Sequence, residues 1–180
     1  MIAAEEEYRM ASCATDSTID VAIWLLDRAS AEDSYLQPQK LQRLLYLAQG
    51  YYAREYYGRK LMPATFIVHD MGPVEPTVFR LFEAGRPQIG FVAPPAEVKT
   101  FLEIVWRRFG GHTVDRLNAL IGGQALYRET SSRGQGEEIP FDEMAAAFAS
   151  KDDAAETVRT PDGRAVKKWM PSRSVRRNAP

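Results

Sequence analysis

The stretch between Pro38 and Gly58 leaves the chain little choice of fold. Proline suits the first turn of a helix, because the amide hydrogen it lacks would have had no partner there, and glycine suits the left-handed residue that stops one. Between them Leu41, Leu44, Leu45, Ala48 and Tyr52 recur on one side at helical spacing, with Tyr46, Ala53 and Tyr57 on a second. A helix apolar on two sides needs neighbours on both, so this one belongs near the centre of its domain. At about 1.5 Å per residue, residues 38–57 make a rod of roughly 30 Å, long enough to cross a small domain.

Further helices can be read around it. Ser17 or Thr18 caps one that carries Ile19, Ala22, Ile23 and Leu26 to about Ser30, with Trp24 and Leu25 widening the face. Phe66 and Val68 alternate as in a short strand, and Gly72-Pro73 makes a fixed corner, since proline pushes the preceding residue out of helical geometry. Pro76 opens a third helix with Val78, Phe79, Leu81 and Phe82, which Gly85 ends. A fourth runs over about 95–109, a fifth starts at Thr113, and a sixth starts at Pro140 with Phe141, Met144, Ala145 and Phe148. Pro161-Asp162-Gly163 is a turn between two short runs that can pair. The predicted fold is therefore mainly α: a compact bundle of about six helices around the central one, with a small β hairpin or short sheet near 61–69 and a second near 157–169. The corresponding parts are a flexible leader (1–17), a helical domain (18–150) and a basic C-terminal tail (151–180).

Composition excludes several classes of function. With 45% hydrophobic residues in 180 the chain can bury a real core, yet no run approaches the roughly 18 apolar residues of a membrane span. Residues 1–17 carry acids where a signal peptide would carry a basic start, so a cytoplasmic protein without a membrane partner is expected. Cys13 is the single cysteine, so no disulfide can form within the chain, and with His69 and His112 it makes no metal-binding pattern. His69 and Asp70 are neighbours in a strand and point to opposite faces, which spoils them as an acid/base pair. No glycine-rich phosphate loop occurs. The expectation is no metal, no cofactor, no small-molecule substrate and no catalytic centre.

Two features suit binding instead. A third stripe of the central helix, Lys40, Arg43, Leu47, Tyr51 and Arg54, mixes cations with apolar groups. A solvated face needs neither Leu47 nor Tyr51, whereas a protein interface favours aromatics and arginine, which makes the stripe a candidate partner-binding surface. Packing of Leu47 and Tyr51 on a neighbouring helix is the alternative use. The second feature is charge asymmetry: residues 159–180 carry seven basic residues against Asp162, a net +6, which leaves −7 on residues 1–158 of a chain whose total is −1. Within the tail Arg164, Lys167, Lys168, Trp169, Arg173, Arg176 and Arg177 are candidates for docking on an acidic partner, on the acidic body itself, or on nucleic-acid phosphates.

The strings QKLQRLLYLAQGYY (39–52) and MGPVEPTVFRLF (71–82) resemble the Panacea domain, also called the SocA-like antitoxin family. Gly72, Pro73 and Pro76 form the structural motif of the second string. DVAIWLL (20–26) precedes them, VDRLNALIGGQALY (114–127) and IPFDEMAAAF (139–148) follow, and the resemblance covers roughly residues 18–149. Where the family tends towards a histidine and a tryptophan after the fifth helix, this chain has Gly122 and Tyr127. The resemblance implies an antitoxin encoded beside a toxin and neutralising it by direct contact. In SocA-like members the antitoxin is also a proteolytic adaptor that hands the toxin to the ClpXP protease, so ClpXP is a second implied partner. A compact body for cargo and a charged tail as tether fit that arrangement, because tethering raises local concentration without a tight contact.

Overall fold

The computed structural model describes residues 13–149 and, beyond them, the backbone of two short strands, 157–159 and 165–167. The chain divides into two units, Met1–Ala149 and Ser150–Pro180. Among the described residues of the first, seven helices surround or flank a three-stranded antiparallel sheet: α1 (Thr18–Ser30), α2 (Pro38–Glu55), β1 (Phe66–His69), β2 (Gly72–Val74), α3 (Pro76–Phe82), α4 (Ala96–Phe109), α5 (Val114–Gly122), α6 (Ala125–Arg133), β3 (Glu138–Ile139) and α7 (Phe141–Ala149). In the second, β4 (Thr157–Arg159) pairs antiparallel with β5 (Ala165–Lys167), Val158 opposite Val166.

The central helix is as the apolar pattern requires. Every residue of α2 from Leu41 to Gly50 is buried, and the helix packs against α1, α3, α4, α5, α7 and β2. Gly50 marks the closest approach of α7: a methyl group there would sit 2.4 Å from the Phe148 ring. At the C-terminal end Tyr57 already takes a left-handed conformation (φ 54°), and the Gly58 amide donates to the carbonyl of Ala53. The helix therefore stops before Tyr57, which is 89% exposed rather than part of a second buried face.

The remaining helices follow local signals, with two differences. Ser17 caps α1, its Oγ accepting from the amides of Ile19 and Asp20, but Val21 and Leu25 are fully buried where Ile19 and Leu26 were expected innermost. The last residues of the leader are pinned, since the amides of Ala14 and Thr15 donate to the carbonyls of Lys60 and Leu61. Helix α6 is an element the sequence did not announce, because Leu126 and Tyr127 are its only large apolar residues. It forms because Leu126 and Thr130 face the interior, where the Thr130 hydroxyl donates back to the Leu126 carbonyl.

The sheet has the order β2-β1-β3, with Ile67 opposite Val74, His69 opposite Gly72 and Phe66 opposite Ile139. Pro73 stands in β2, an edge strand, where a missing amide hydrogen breaks no ladder. The Gly72-Pro73 corner is thus also the start of a strand.

Candidate functional site

The stripe proposed on α2 does not lie on one surface. Arg43 and Leu47 are 0% and 2% exposed. Lys40, Tyr51 and Arg54 keep partial exposure at the two ends. The expectation of a continuous exposed stripe is corrected on this point: β2 and α5 cover the middle of the helix, which leaves Arg43 and Leu47 no access to a partner.

Buried polar groups need partners, and those of α2 find most of theirs in the segment 61–75. Gln42 Oε1 accepts from the Glu75 amide at 2.8 Å. Arg43 Nη1 donates to the Pro73 carbonyl at 3.1 Å, and Nε to Asn118 Oδ1 at 2.6 Å. Gln49 Oε1 accepts from the amides of Leu61 and Met62, while its Nε2 donates to the Met62 carbonyl. Glu75 caps α3 through the Val78 amide at 2.6 Å, and Pro76 occupies its first turn. Gly72 lies against the Arg43 guanidinium so closely that a β-carbon would come within 2.7–2.8 Å of its Cζ, Nε and Nη2. The backbone at Gly72 has φ 104°, a second reason for glycine. Gly72, Pro73 and Pro76 are therefore one half of a buried joint whose other half is Gln42 and Arg43.

Arg43 has no carboxylate partner among the described residues, and burial pushes its pKa down to about 10. It remains charged at neutral pH, held by neutral acceptors, with Nη2 unpartnered. At the start of the helix Lys40 donates to the Gly110 carbonyl at the end of α4. Two open clefts, about 440 and 510 Å³, flank that start and share Tyr35, Gln37 and Gln39.

The far end of α2 is different. The Tyr51 ring stacks on Phe109 of α4 (5.4 Å, 29°) and meets Phe148 of α7 edge-on (5.1 Å). Arg108 lies over both rings, its Cζ 4.8 Å from the centre of Tyr51 and 5.1 Å from that of Phe109. The result is an exposed cation on a half-buried aromatic base. Sequence reasoning missed Arg108, because it belongs to a helix 57 positions away in the chain from Tyr51; the Arg107-Arg108 pair closing α4 was the available signal.

His69 is occupied structurally, its Nδ1 accepting from the Met71 amide and its ring set against Phe79 at 5.5 Å. Of the tail candidates, Lys167 falls in the backbone of β5; Arg164, Lys168, Trp169, Arg173, Arg176 and Arg177 lie outside the described residues. No group of His, Cys, Asp or Glu among the described residues is arranged to hold a metal ion, and no described helix is long and apolar enough to cross a membrane.

These features define a mainly helical scaffold with an internal polar joint and a cationic aromatic surface at one end. A 68-residue segment of the chain is 41% identical to a curated protein, the Antitoxin SocA of Caulobacter vibrioides (strain NA1000 / CB15N). The segment is 38% of this chain and 36% of that protein, so the chain matches about a third of its relative's length. No family model and no solved structure matches.

Proposed function

We propose that this protein is the antitoxin of a toxin–antitoxin pair and neutralises its toxin by direct protein contact in the cytoplasm. The single observation that carries this reading is the 41% identity to an antitoxin over 68 residues. The exposed Tyr51–Arg108 surface supports it, because aromatic and arginine side chains anchor protein interfaces. As a finer reading, the body holds the toxin while residues 159–180, with their net charge of +6, act as the tether of an adaptor that delivers it to ClpXP.

The direct experiment is co-purification with the product of the adjacent gene, together with growth of cells that express that product with and without this chain. A complex and restored growth are expected. Free migration of both proteins and unrelieved growth arrest would remove the reading. Deleting residues 159–180 should leave the complex intact but slow degradation of the toxin by ClpXP; unchanged degradation rules out the tether. The +6 tail also favours a second reading, a nucleic-acid-binding regulator, which predicts DNA affinity that falls steeply with salt.

A further inference from the structure

We propose that Arg108, held over Tyr51 and Phe109, is the receptor for a carboxylate side chain on the partner protein. The inference rests on the antitoxin reading and names the chemistry of the contact. A guanidinium carries five N–H donors, and its attraction to an aromatic ring occupies none of them with an acceptor oxygen. Arg108 is exposed, and no carboxylate among the described residues pairs with it.

Other cations differ. Arg28 forks onto Glu103 at 2.8 and 3.0 Å, and Arg86 pairs with Asp27. Arg107 reaches Glu103 only at 3.6 Å, on a carboxylate whose two oxygens Arg28 already holds. The last turn of α4 thus presents two arginines, of which Arg107 alone has a share in an acid among the described residues. Arg108 is the one whose position is fixed before any partner arrives. Ordering a long side chain normally opposes binding, and here two rings have done it in advance.

The extent of the cation selects the class of partner. A nucleic acid would bring a run of phosphates, for which residues 13–149, with a net charge of −3, offer no general attraction. A single Asp or Glu set in a protein surface needs just one free guanidinium on an aromatic base, with the edge of His112 against Phe109 beside it. Such a pair, once shielded by the surrounding contact, gains a charge-assisted hydrogen bond in a medium of lowered dielectric.

The experiment titrates the full chain against the product of the adjacent gene by calorimetry, using the wild type, Arg108→Gln, Arg108→Glu, Arg108→Lys and Lys99→Glu. Lys99 lies exposed on the same helix and serves as the charge-reversal control. Arg108→Gln should weaken binding about 30-fold and Arg108→Glu further, with Arg108→Lys in between and Lys99→Glu within about threefold of wild type. Melting curves of all variants should match, which separates a contact from a structural lid over Tyr51. Wild-type binding that Arg108→Gln and Arg108→Glu leave within about threefold overturns the inference and keeps the antitoxin reading. Absence of wild-type binding overturns both. Affinity for a short DNA duplex that Arg108→Glu abolishes would assign the surface to phosphate and overturn the carboxylate.

Discussion

Replacing Gly72 with alanine puts a methyl group 2.7–2.8 Å from Cζ, Nε and Nη2 of Arg43. The guanidinium cannot withdraw, because Nε is bonded to Asn118 and Nη1 to Pro73. Overpacking of this kind costs about 1–3 kcal/mol. The backbone adds its own term, since φ is 104° and a side chain there is strained by about 1–2 kcal/mol. Together the expected loss is roughly 2–5 kcal/mol, a large share of the roughly 5–15 kcal/mol that holds a domain folded. In a domain of this size each kcal/mol lowers Tm by about 2–4 °C, so the melting point should fall by roughly 4–20 °C. The two terms can be separated by repeating the substitution in an Arg43→Met background, where the fork is gone and only the backbone strain remains. Urea unfolding of the four proteins gives the coupling directly, and about 1–3 kcal/mol is expected. A Gly72→Ala protein within about 0.5 kcal/mol of wild type, or one that loses the same amount in both backgrounds, would refute the idea that this joint locks the hairpin to α2.

Gly50→Ala should also destabilise, although alanine favours a helix by about 1 kcal/mol, because the new methyl meets the Phe148 ring at 2.4 Å; a melting point at or above wild type would show that α7 shifts freely. Gln49→Ala leaves the buried amides of Leu61 and Met62 without their acceptor and should cost roughly 2–4 kcal/mol, with loss of hydrogen-exchange protection at those two amides as the local readout. Burial raises the pKa of Tyr46 above its ordinary value of 10.0 and that of Tyr52 to about 12. Their contribution to stability is complete below pH 10 and drains away as pH climbs through about 12, because only the unfolded phenols ionise early. Arg43 works in the opposite sense, so the test compares wild type with Tyr46→Phe, whose urea midpoint should fall less over that interval; equal slopes would contradict the assignment.

Sequence legibility followed the range of the forces involved. The Pro38 and Pro76 starts, the Ser17 cap and the Phe66–Val68 strand are decided by backbone chemistry within a few residues, and all stand where the sequence placed them. Helix α6 escaped because its two inward positions are too few to set a period. Tyr57 was assigned to a buried face that its left-handed backbone does not continue. The α2 stripe misled for a related reason: charge suggested solvent at Arg43, while the interior supplied Pro73 and Asn118, 30 and 75 positions away, as acceptors. The Tyr51–Arg108 surface needed the packing of two helices before it existed.

Many of the residues that carry the resemblance to the SocA-like family point inward and bond to one another, Gln42 to Glu75 and Arg43 to Pro73. They specify a scaffold. Choice of partner then falls to exposed groups, and the two roles make different quantitative demands. A buried variant such as Gln42→Ala loses one hydrogen bond to an amide and about 2–3 kcal/mol of stability. If the starting stability is at least about 5 kcal/mol, more than nine molecules in ten stay folded, so affinity for the proposed toxin should change less than about twofold. Arg108→Gln should do the reverse, leaving the melting point in place while binding falls. Plotted as affinity against stability, interior variants should lie along one axis and the Arg108 variants along the other. A folded Gln42→Ala protein that binds about tenfold more weakly would break this division, because it would place the joint itself in contact with the partner or couple it to a shape the partner selects.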